Sequence, residues 1–128
     1  MTDWASAAGD ATPIRPDLTQ ALVRDVLERI GDKWSVVVIC QLGDSTRRFN
    51  ELRRLCAPIT QRMLSLTLRA LERDGLVRRT VYATKPPQVD YALTARGLSL
   101  LTLVRDLAGW VEGNLDGILE SRGTFDAG

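Results

Sequence analysis

A helix with two unlike sides is predicted by residues 59–79, ITQRMLSLTLRALERDGLVRR. With about 100° of rotation per residue, one narrow arc collects the leucines and the opposite side collects the arginines. The apolar arc holds Leu64, Leu68 and Leu71, with Met63 at its margin, and the basic side holds Arg62, Arg69 and Arg73. One side is therefore predicted to pack into a core and the other to face solvent or a partner.

The ends of this helix are marked by residue types that cap helices. Thr60 precedes it, and a threonine side chain at that position accepts a hydrogen bond from the first turn. Gly75 follows Asp74 at the other end, where glycine most readily adopts the left-handed conformation that closes a helix. The helix is thus predicted from about Gln61 to Arg73.

A shorter helix precedes this one in the chain. Residues 49–56, FNELRRLC, predict it, with Asn50 as a candidate cap, and Ala57-Pro58 ends it because proline cannot continue a helix. The two helices are joined by the short segment CAPIT. Together they predict a helix-turn-helix, in which the second helix can enter the major groove of DNA.

Two further helices are predicted upstream. Residues 18–30 carry apolar residues at helical spacing, and Gly31 with Asp32 ends them. Lys33–Leu42 contains the run WSVVVIC, whose β-branched residues would also suit a strand. We assign it to a buried helix, because it lies between helical segments with no hairpin partner in reach. Residues 47–49 predict a short extended piece.

A β-hairpin and a long helix are predicted downstream. LVRRTVY and QVDYALT are rich in β-forming residues and are separated by ATKPP, whose prolines favour a turn. Thr94 begins a helix that runs to about Arg122. The predicted fold class is mainly α with a small β-hairpin, a winged helix-turn-helix with long N- and C-terminal dimerisation helices.

The length of 128 residues fits one domain, predicted over residues 18–123. Residues 1–17 are rich in Ala, Gly, Asp, Thr and Pro without periodicity and predict a flexible N-terminal arm. This segment lacks the features of a secretory signal, and no apolar run reaches the roughly 18 residues of a membrane helix. We expect a cytoplasmic protein that does not bind membranes.

The residue types needed for most enzyme and metal sites are missing from the sequence. There is no histidine, and the two cysteines have no CxxC spacing, so the usual zinc sites and the Cys-His and Ser-His-Asp arrangements are excluded. An enzyme would need a carboxylate pair, or Tyr82 and Tyr91, in a pocket. We therefore predict no catalytic activity, no cofactor and no metal.

The charge is unevenly distributed although the net charge is only +1. Residues 47–85 contain ten basic and three acidic residues, a net +7, and the remainder contains seven basic and thirteen acidic residues, a net −6. A basic centre of this kind suits a phosphate backbone. Any single arginine could equally be solvated, but ten of them on consecutive elements of one motif favour double-stranded DNA.

Two sets of side chains are predicted to contact DNA. Arginine can bind guanine and glutamine can bind adenine through paired hydrogen bonds, and Leu66 could meet a thymine methyl group. The predicted base-reading residues are Thr60, Gln61, Arg62, Ser65, Leu66 and Arg69. The residues predicted to hold the DNA backbone, including those of the wing, are Arg47, Arg48, Arg53, Arg54, Arg73, Arg78, Arg79 and Lys85.

The terminal helix predicts a homodimer, because its apolar residues cover a wider arc than a helix buries against its own domain. A symmetric dimer would read a palindromic operator. The alternative is that the first helix covers this surface within one subunit. The predicted interface residues are Leu22, Val104, Leu107, Trp110 and Val111. A small-molecule effector could bind at such an interface near Trp34 and Trp110.

The segments IGDKWSVVVI, RRFNELRR, ITQRMLSLTLRALERDGLVRRTVY and PPQVDYALTARGLSLL together resemble the HxlR-type transcriptional regulators, a MarR-like branch of winged helix-turn-helix proteins. The resemblance covers about residues 18–112. It implies a dimeric bacterial DNA-binding regulator, usually a repressor, with the helix after Thr60 as the reader, residues 78–89 as the wing and the terminal helix at the dimer interface. The alternative function is a winged-helix module that binds an acidic protein.

Many proteins of this kind carry a cysteine in a CPV-like sequence before the first helix, and some sense oxidants or electrophiles there. This chain has Ala21, Leu22 and Val23 instead, so the resemblance does not imply sensing at that position. Cys40, within an apolar run, is expected to be a small inert hydrophobic residue rather than a sensor. Cys56 lies near arginines that could lower the pKa of its thiol, which makes it a candidate redox residue.

Overall fold

The computed structural model describes residues 16–128, and the elements in this part of the chain are five helices and three short strands. The predicted N-terminal arm lies outside the described residues up to position 15, and Pro16 and Asp17, predicted to belong to it, already form the first turn of a helix. The elements are α1 Pro16–Gly31, α2 Lys33–Leu42, β1 Arg47–Arg48, α3 Phe49–Leu55, α4 Gln61–Arg73, β2 Val77–Tyr82, β3 Gln88–Leu93 and α5 Ala95–Ala127.

The ends of α4 and the start of α5 follow the capping signals. The Thr60 side chain accepts a hydrogen bond from the backbone N–H of Met63 at 3.1 Å, and Gly75 has a φ of 73° just after the helix. Thr94 caps α5 in the same way, by accepting from the N–H of Gly97 at 3.1 Å. These predictions are confirmed.

The start of α3 differs from the prediction. The N-cap position is Arg48, which makes no side-chain capping bond, and Asn50 is already inside the helix. The prediction of Asn50 as the cap is therefore wrong. The chain enters α3 directly from β1, and the extended backbone of a strand residue supplies the cap conformation.

The three strands form an antiparallel sheet in the order β1-β3-β2. The hairpin pairs Val77 with Leu93 at its base and Tyr82 with Gln88 near its turn. Residues 47 and 48 of the predicted extended piece form the strand β1, which pairs Arg47 with Tyr91 and Arg48 with Asp90, whereas Phe49 already begins α3. The sheet thus ties the segment before α3 to the wing.

The hydrophobic core lies between α2, α3, α4, the base of the hairpin and the first turns of α5. The WSVVVIC run is helical, as predicted, and buries Val38, Ile39 and Leu42. Cys40 is exposed, although the run that contains it is predicted to be a buried helix. The reason is helical periodicity, since Cys40 lies on the side of α2 opposite its buried residues.

Helix α5 continues five residues beyond the predicted end, to Ala127. Its buried residues all lie in its first ten positions, and after Val104 nearly every side chain is exposed. Most of α5 therefore extends from the domain and is not covered by its own chain. None of the helices in the described region combines the length and the apolar character of a membrane span.

Candidate nucleic-acid interface

The helix α4 is fixed by one face and presents the other to solvent. Leu64, Leu68 and Leu71 are at most 2% exposed, and the α4 side of the core also buries Thr67. Arg62, Leu66, Arg69 and Arg73, which succeed one another at helical spacing, are exposed on the opposite face. We call these four residues the basic stripe. The predicted division of α4 into an apolar and a basic side is confirmed.

Leu66 lies within the basic stripe and is 51% exposed. An isolated exposed leucine is unremarkable on a protein surface. Its position between Arg62 and Arg69 places an apolar group where the helix otherwise offers only cations. The stripe can therefore contact an anionic backbone and an apolar group, such as a methyl group, at the same time.

The N-terminal tip of α4 carries the other predicted base-reading residues. Gln61 is exposed and Ser65 is half-buried at the edge of the helix that faces the hairpin. The Thr60 hydroxyl oxygen already accepts the capping hydrogen bond, which leaves its hydrogen free to donate. The tip thus combines polar side chains with the N-terminal end of a helix, which attracts anions.

The two wing arginines point to opposite faces of the sheet. Arg79 pairs with Tyr91 and Arg78 with Ala92, so the alternation of side chains along a strand separates them. Arg79 lines a cleft with Ser65, Arg69 and Glu72 of α4. Alternation along the predicted strand already separates the two arginines, but which of them faces α4 becomes visible only in the folded structure.

On the other face of the sheet, Arg78 lines a separate cleft with Thr46, Thr80 and Asp90. Lys85 is exposed in the turn between β2 and β3. Arg79 is therefore the wing cation that lies beside the basic stripe, and Arg78 faces away from α4.

Arg47 is held by partners in its own domain. Its Nε donates to the carbonyl oxygen of Gln41 at 2.7 Å, and its Nη1 lies 2.9 Å from Oε2 of Glu51. The guanidinium thereby fixes β1 against the end of α2 and the first turn of α3. The spacing of four residues between Arg47 and Glu51 was the signal in the sequence for this pair.

Arg48 extends across the edge of the sheet and stays more open. Its Nη2 donates to Oε1 of Gln88 at 2.7 Å, its Nε lies 3.7 Å from Oδ1 of Asp90, and its side chain is 60% exposed. Part of its charge is thus neutralised. Arg53 and Arg54, in contrast, are exposed in the last turn of α3, where they border a cleft with Asn50 and Pro58.

Cys56 is 1% exposed and belongs to the core. Burial raises the pKa of its thiol, because the thiolate would lose its hydration. The structure therefore contradicts the prediction that nearby arginines lower this pKa. Arg53 and Arg54 are exposed at the surface, so their charge does not offset the desolvation of the sulfur.

Four of the five predicted interface residues lie on the surface of the chain. Leu22 on α1 is 59% exposed, and on α5 the exposed fractions are 51% for Leu107, 59% for Trp110 and 42% for Val111. Val104 differs, since it is 9% exposed and is already buried by its own chain. Trp34 packs against the core and lies 4.8 Å below the ammonium group of Lys33, so it does not share the exposure of Trp110.

The titratable residues do not assemble into a metal centre in the described region. Among residues 16–128 there is no group of three or more Cys, Asp or Glu side chains close enough to hold a metal ion. What the elements do bring together is a helix-turn-helix, an adjacent hairpin and a set of exposed arginines. This arrangement matches a winged helix-turn-helix in geometry and in charge.

A family model described as HxlR-like helix-turn-helix matches residues 29–118, from the end of α1 to within α5. The chain belongs to this HxlR-like family. The predicted resemblance is confirmed, and the match includes the two helices of the motif, the sheet and the part of α5 that leaves the core.

The relatives of this HxlR-like chain are transcriptional regulators. It is 45% identical over 108 residues to the uncharacterised HTH-type transcriptional regulator YybR of Bacillus subtilis strain 168, which covers 84% of this chain and 86% of YybR. It is 47% identical to the reduced form of the redox regulator HypR, with a TM-score of 0.68 over 77% of this chain and 97% of HypR.

A structure from Enterococcus faecalis V583, assigned to the MarR family, is 32% identical and has a TM-score of 0.72. This match covers 88% of the present chain and 97% of the other. The protein is therefore a DNA-binding transcriptional regulator of the helix-turn-helix type, and its winged helix-turn-helix fold is confirmed.

Proposed function

We propose that the protein is a cytoplasmic homodimeric repressor that recognises a palindromic operator through α4 of each subunit. The observation that carries this proposal is the basic stripe, an exposed row of three arginines and one leucine on a helix whose other face is locked into the core. Repression is the expected consequence, because a dimer seated on a promoter occupies the DNA that the polymerase needs.

The position of each residue along α4 suggests which part of the DNA it meets. Arg62 and Arg73 are eleven positions apart, about 16 Å along α4 at 1.5 Å per residue, and the residues of a recognition helix that contact base edges are those near its N-terminus. The whole stripe cannot face bases at once. We assign Gln61, Arg62, Ser65 and Leu66 to base edges and Arg73 to a phosphate.

Arg69 lies between these two groups, and its cleft suggests its role. It lines the space between α4 and the hairpin together with Arg79, and neither guanidinium has an ion-pair partner within 4.0 Å among the described residues. A DNA strand that leaves the major groove beside α4 would pass this cleft. We propose that Arg69 and Arg79 hold one stretch of backbone there and that Lys85 extends the contact along the wing.

The dimer is supported by the apolar surface that α1 and α5 leave open. The exposed residues are Leu22, Val26 and Leu27 on α1 and Leu103, Leu107, Trp110, Val111, Leu115 and Leu119 on α5. The alternative, in which α1 covers α5 within one subunit, does not fit these exposures. A two-fold copy of the same surface would cover both helices and place the two α4 helices on successive turns of the duplex, about 34 Å apart.

Replacing Arg62 and Lys85 separately by alanine should affect DNA binding in two different ways. Arg62→Ala removes a side chain placed at base edges, so we expect a loss of about 1–3 kcal/mol for the best duplex and a weaker preference over random DNA. Lys85→Ala removes a contact to the DNA backbone, so we expect weaker binding to all sequences alike. The slope of log affinity against log salt concentration should become shallower by about one. Fluorescence anisotropy at several salt concentrations measures both quantities.

The matched control is Arg78→Ala, which removes a neighbouring arginine on the sheet face that points away from α4. It should change binding less than Arg79→Ala does. Unchanged affinity and unchanged sequence preference in both Arg62→Ala and Lys85→Ala would contradict the proposed reader and wing, and would favour an acidic protein as the partner of the basic surface.

A further inference from the structure

Three helices meet where α4 ends. The Nε of Arg29, near the end of α1, donates to Oδ2 of Asp74 at 3.0 Å. From α5, Nη1 of Arg96 approaches the carbonyl oxygen of Asp74 at 3.4 Å, and the cap residue Thr94 donates its hydroxyl to the carbonyl oxygen of Gly75 at 2.6 Å. The last turn of α4 is therefore connected to both helices that carry the proposed dimer surface.

The Arg29–Asp74 contact is the ion pair that joins α1 to α4. Of the three ion pairs within 4.0 Å among residues 16–128, the other two connect β1 with α3 and with β3. Most of α1 lies away from the domain, since Leu22, Val26 and Leu27 are 43% to 59% exposed. A contact between residues 45 apart in the chain thus joins the mostly exposed α1 to the end of α4, in addition to the packing of Ile30 against the core.

We propose that Arg29 and Asp74 are positioning residues that set the angle between α1 and α4, and through it the distance between half-sites that the dimer accepts. The proposal rests on the dimeric, DNA-reading function proposed above. Dimer contacts through α1 fix this helix relative to the two-fold axis. Any contact between α1 and α4 then determines where the tip of α4 lies relative to the partner's tip.

The length of α4 is sufficient for a small rotation to change the half-site distance. Asp74 follows the last residue of α4, and the base-reading residues lie at the opposite end of its 13 residues, about 20 Å away at 1.5 Å per residue. A rotation of about 10° around the Asp74 end would move that tip by about 3.5 Å, close to the rise of about 3.4 Å per base pair along the duplex axis. A small change in the angle between α1 and α4 therefore shifts the preferred position of each half-site along the DNA by about one base pair.

The side chains of this pair are 25% and 38% exposed, and exposed ion pairs contribute little to the stability of a fold. Substitutions here should leave the domain folded. The same cleft is lined by Asp25, Glu28 and Arg73, so the charges that surround the pair are mixed rather than uniformly of one sign. Reversing the charge of one partner alone creates a like-charge contact, and reversing both partners restores the attraction.

The test compares Arg29→Glu, Asp74→Arg and the double variant Arg29→Glu/Asp74→Arg. A selected operator is prepared with its half-sites moved closer or apart by one to three base pairs, and a duplex with a single half-site is included. We expect the wild type to prefer one spacing. Each single variant should bind that spacing about tenfold more weakly and shift or flatten the profile, while the double variant regains the original profile.

Two controls separate positioning from general damage. Arg24→Glu makes the same charge change at an exposed arginine of α1 and should leave the spacing profile unchanged. Binding of the single half-site should stay within about twofold of wild type in all variants, because α4 itself is intact. If a charge reversal lowers the melting temperature, Arg29→Gln provides the same comparison without a repulsive contact.

An unchanged spacing profile in Arg29→Glu, Asp74→Arg and Arg29→Gln would overturn the inference and leave the proposed function standing. Equal weakening at every spacing and at the single half-site, or no recovery in the double variant, would also overturn it. Absence of any spacing preference in the wild type would instead contradict the proposed dimeric function.

Discussion

Replacing Leu107 and Val111 together by glutamate converts the protein into a monomer that has lost most of its affinity for the palindrome. These residues are 51% and 42% exposed and lie four positions apart on one side of α5. Burying two carboxylates in an apolar interface without partners is strongly unfavourable. Binding of a monomer to one half-site does not raise the local concentration of a second subunit at the other half-site. Affinity for the palindrome should therefore fall by a factor of about 100 or more.

Sedimentation equilibrium measures the change of mass, and anisotropy measures binding to a palindrome and to a single half-site. The control is Thr102→Glu, which adds a carboxylate at an exposed position on the side of α5 opposite Leu107 and Val111. This variant should remain dimeric and bind as the wild type does. A Leu107→Glu/Val111→Glu protein that still sediments as a dimer would show that the two subunits meet through a different surface.

Replacing Gly97 by alanine should lower the free energy of unfolding by about 3 kcal/mol. Gly97 is buried in the first turn of α5, and a Cβ placed there would collide with the carbonyl oxygen of Leu76 and come within 3.1 Å of the Leu93 side chain. The colliding atom belongs to the backbone, which is itself held by the hydrogen bond from the N–H of Thr94 to the Leu76 oxygen at 3.0 Å. The first turn of α5 must therefore move away from the core.

Replacing Gly113 by alanine should instead raise the free energy of unfolding. A Cβ there meets no atom within 4 Å, and alanine favours a helix over glycine by about 1 kcal/mol. Urea unfolding at a fixed protein concentration compares the two variants, with the concentration held constant because dimerisation adds to stability. A Gly97→Ala protein as stable as the wild type would mean that α5 does not dock on Leu76 as described.

The features predicted correctly from the sequence are those that local chemistry decides. Thr60, Gly75 and Thr94 cap or close helices through hydrogen bonds and backbone conformations within a few residues of their own positions. The periodicity that divides α4 into two faces is also local. These signals were enough to predict the helix-turn-helix, the hairpin and the helices on either side of them.

The features that the sequence did not reveal depend on contacts between distant parts of the chain. Arg47 and Arg48 are predicted to contact DNA because both are basic, but sequence alone does not show that β1 pairs with a strand about 43 residues later, where the Arg48 side chain bonds to Gln88 and approaches Asp90. The same pairing places α3 so that Arg48, rather than Asn50, stands at its cap.

Which of Arg78 and Arg79 faces α4 likewise depends on how the hairpin packs beside that helix. The link between Arg29 and Asp74 had no signal in the sequence, since its members are 45 residues apart and neither belongs to a motif. Residue types predict the surface that we propose to contact DNA, and tertiary packing decides which of its cations are free to do so.

The most direct test of the central claim is selection of the full-length protein against random duplex DNA at about 150 mM salt, where non-specific electrostatic binding is much reduced. We predict enrichment of one palindrome, with half-sites about 10 base pairs apart from centre to centre, and loss of that enrichment in Arg62→Ala. If the selected DNA remains random in sequence at every salt concentration, sequence-specific reading by α4 is contradicted.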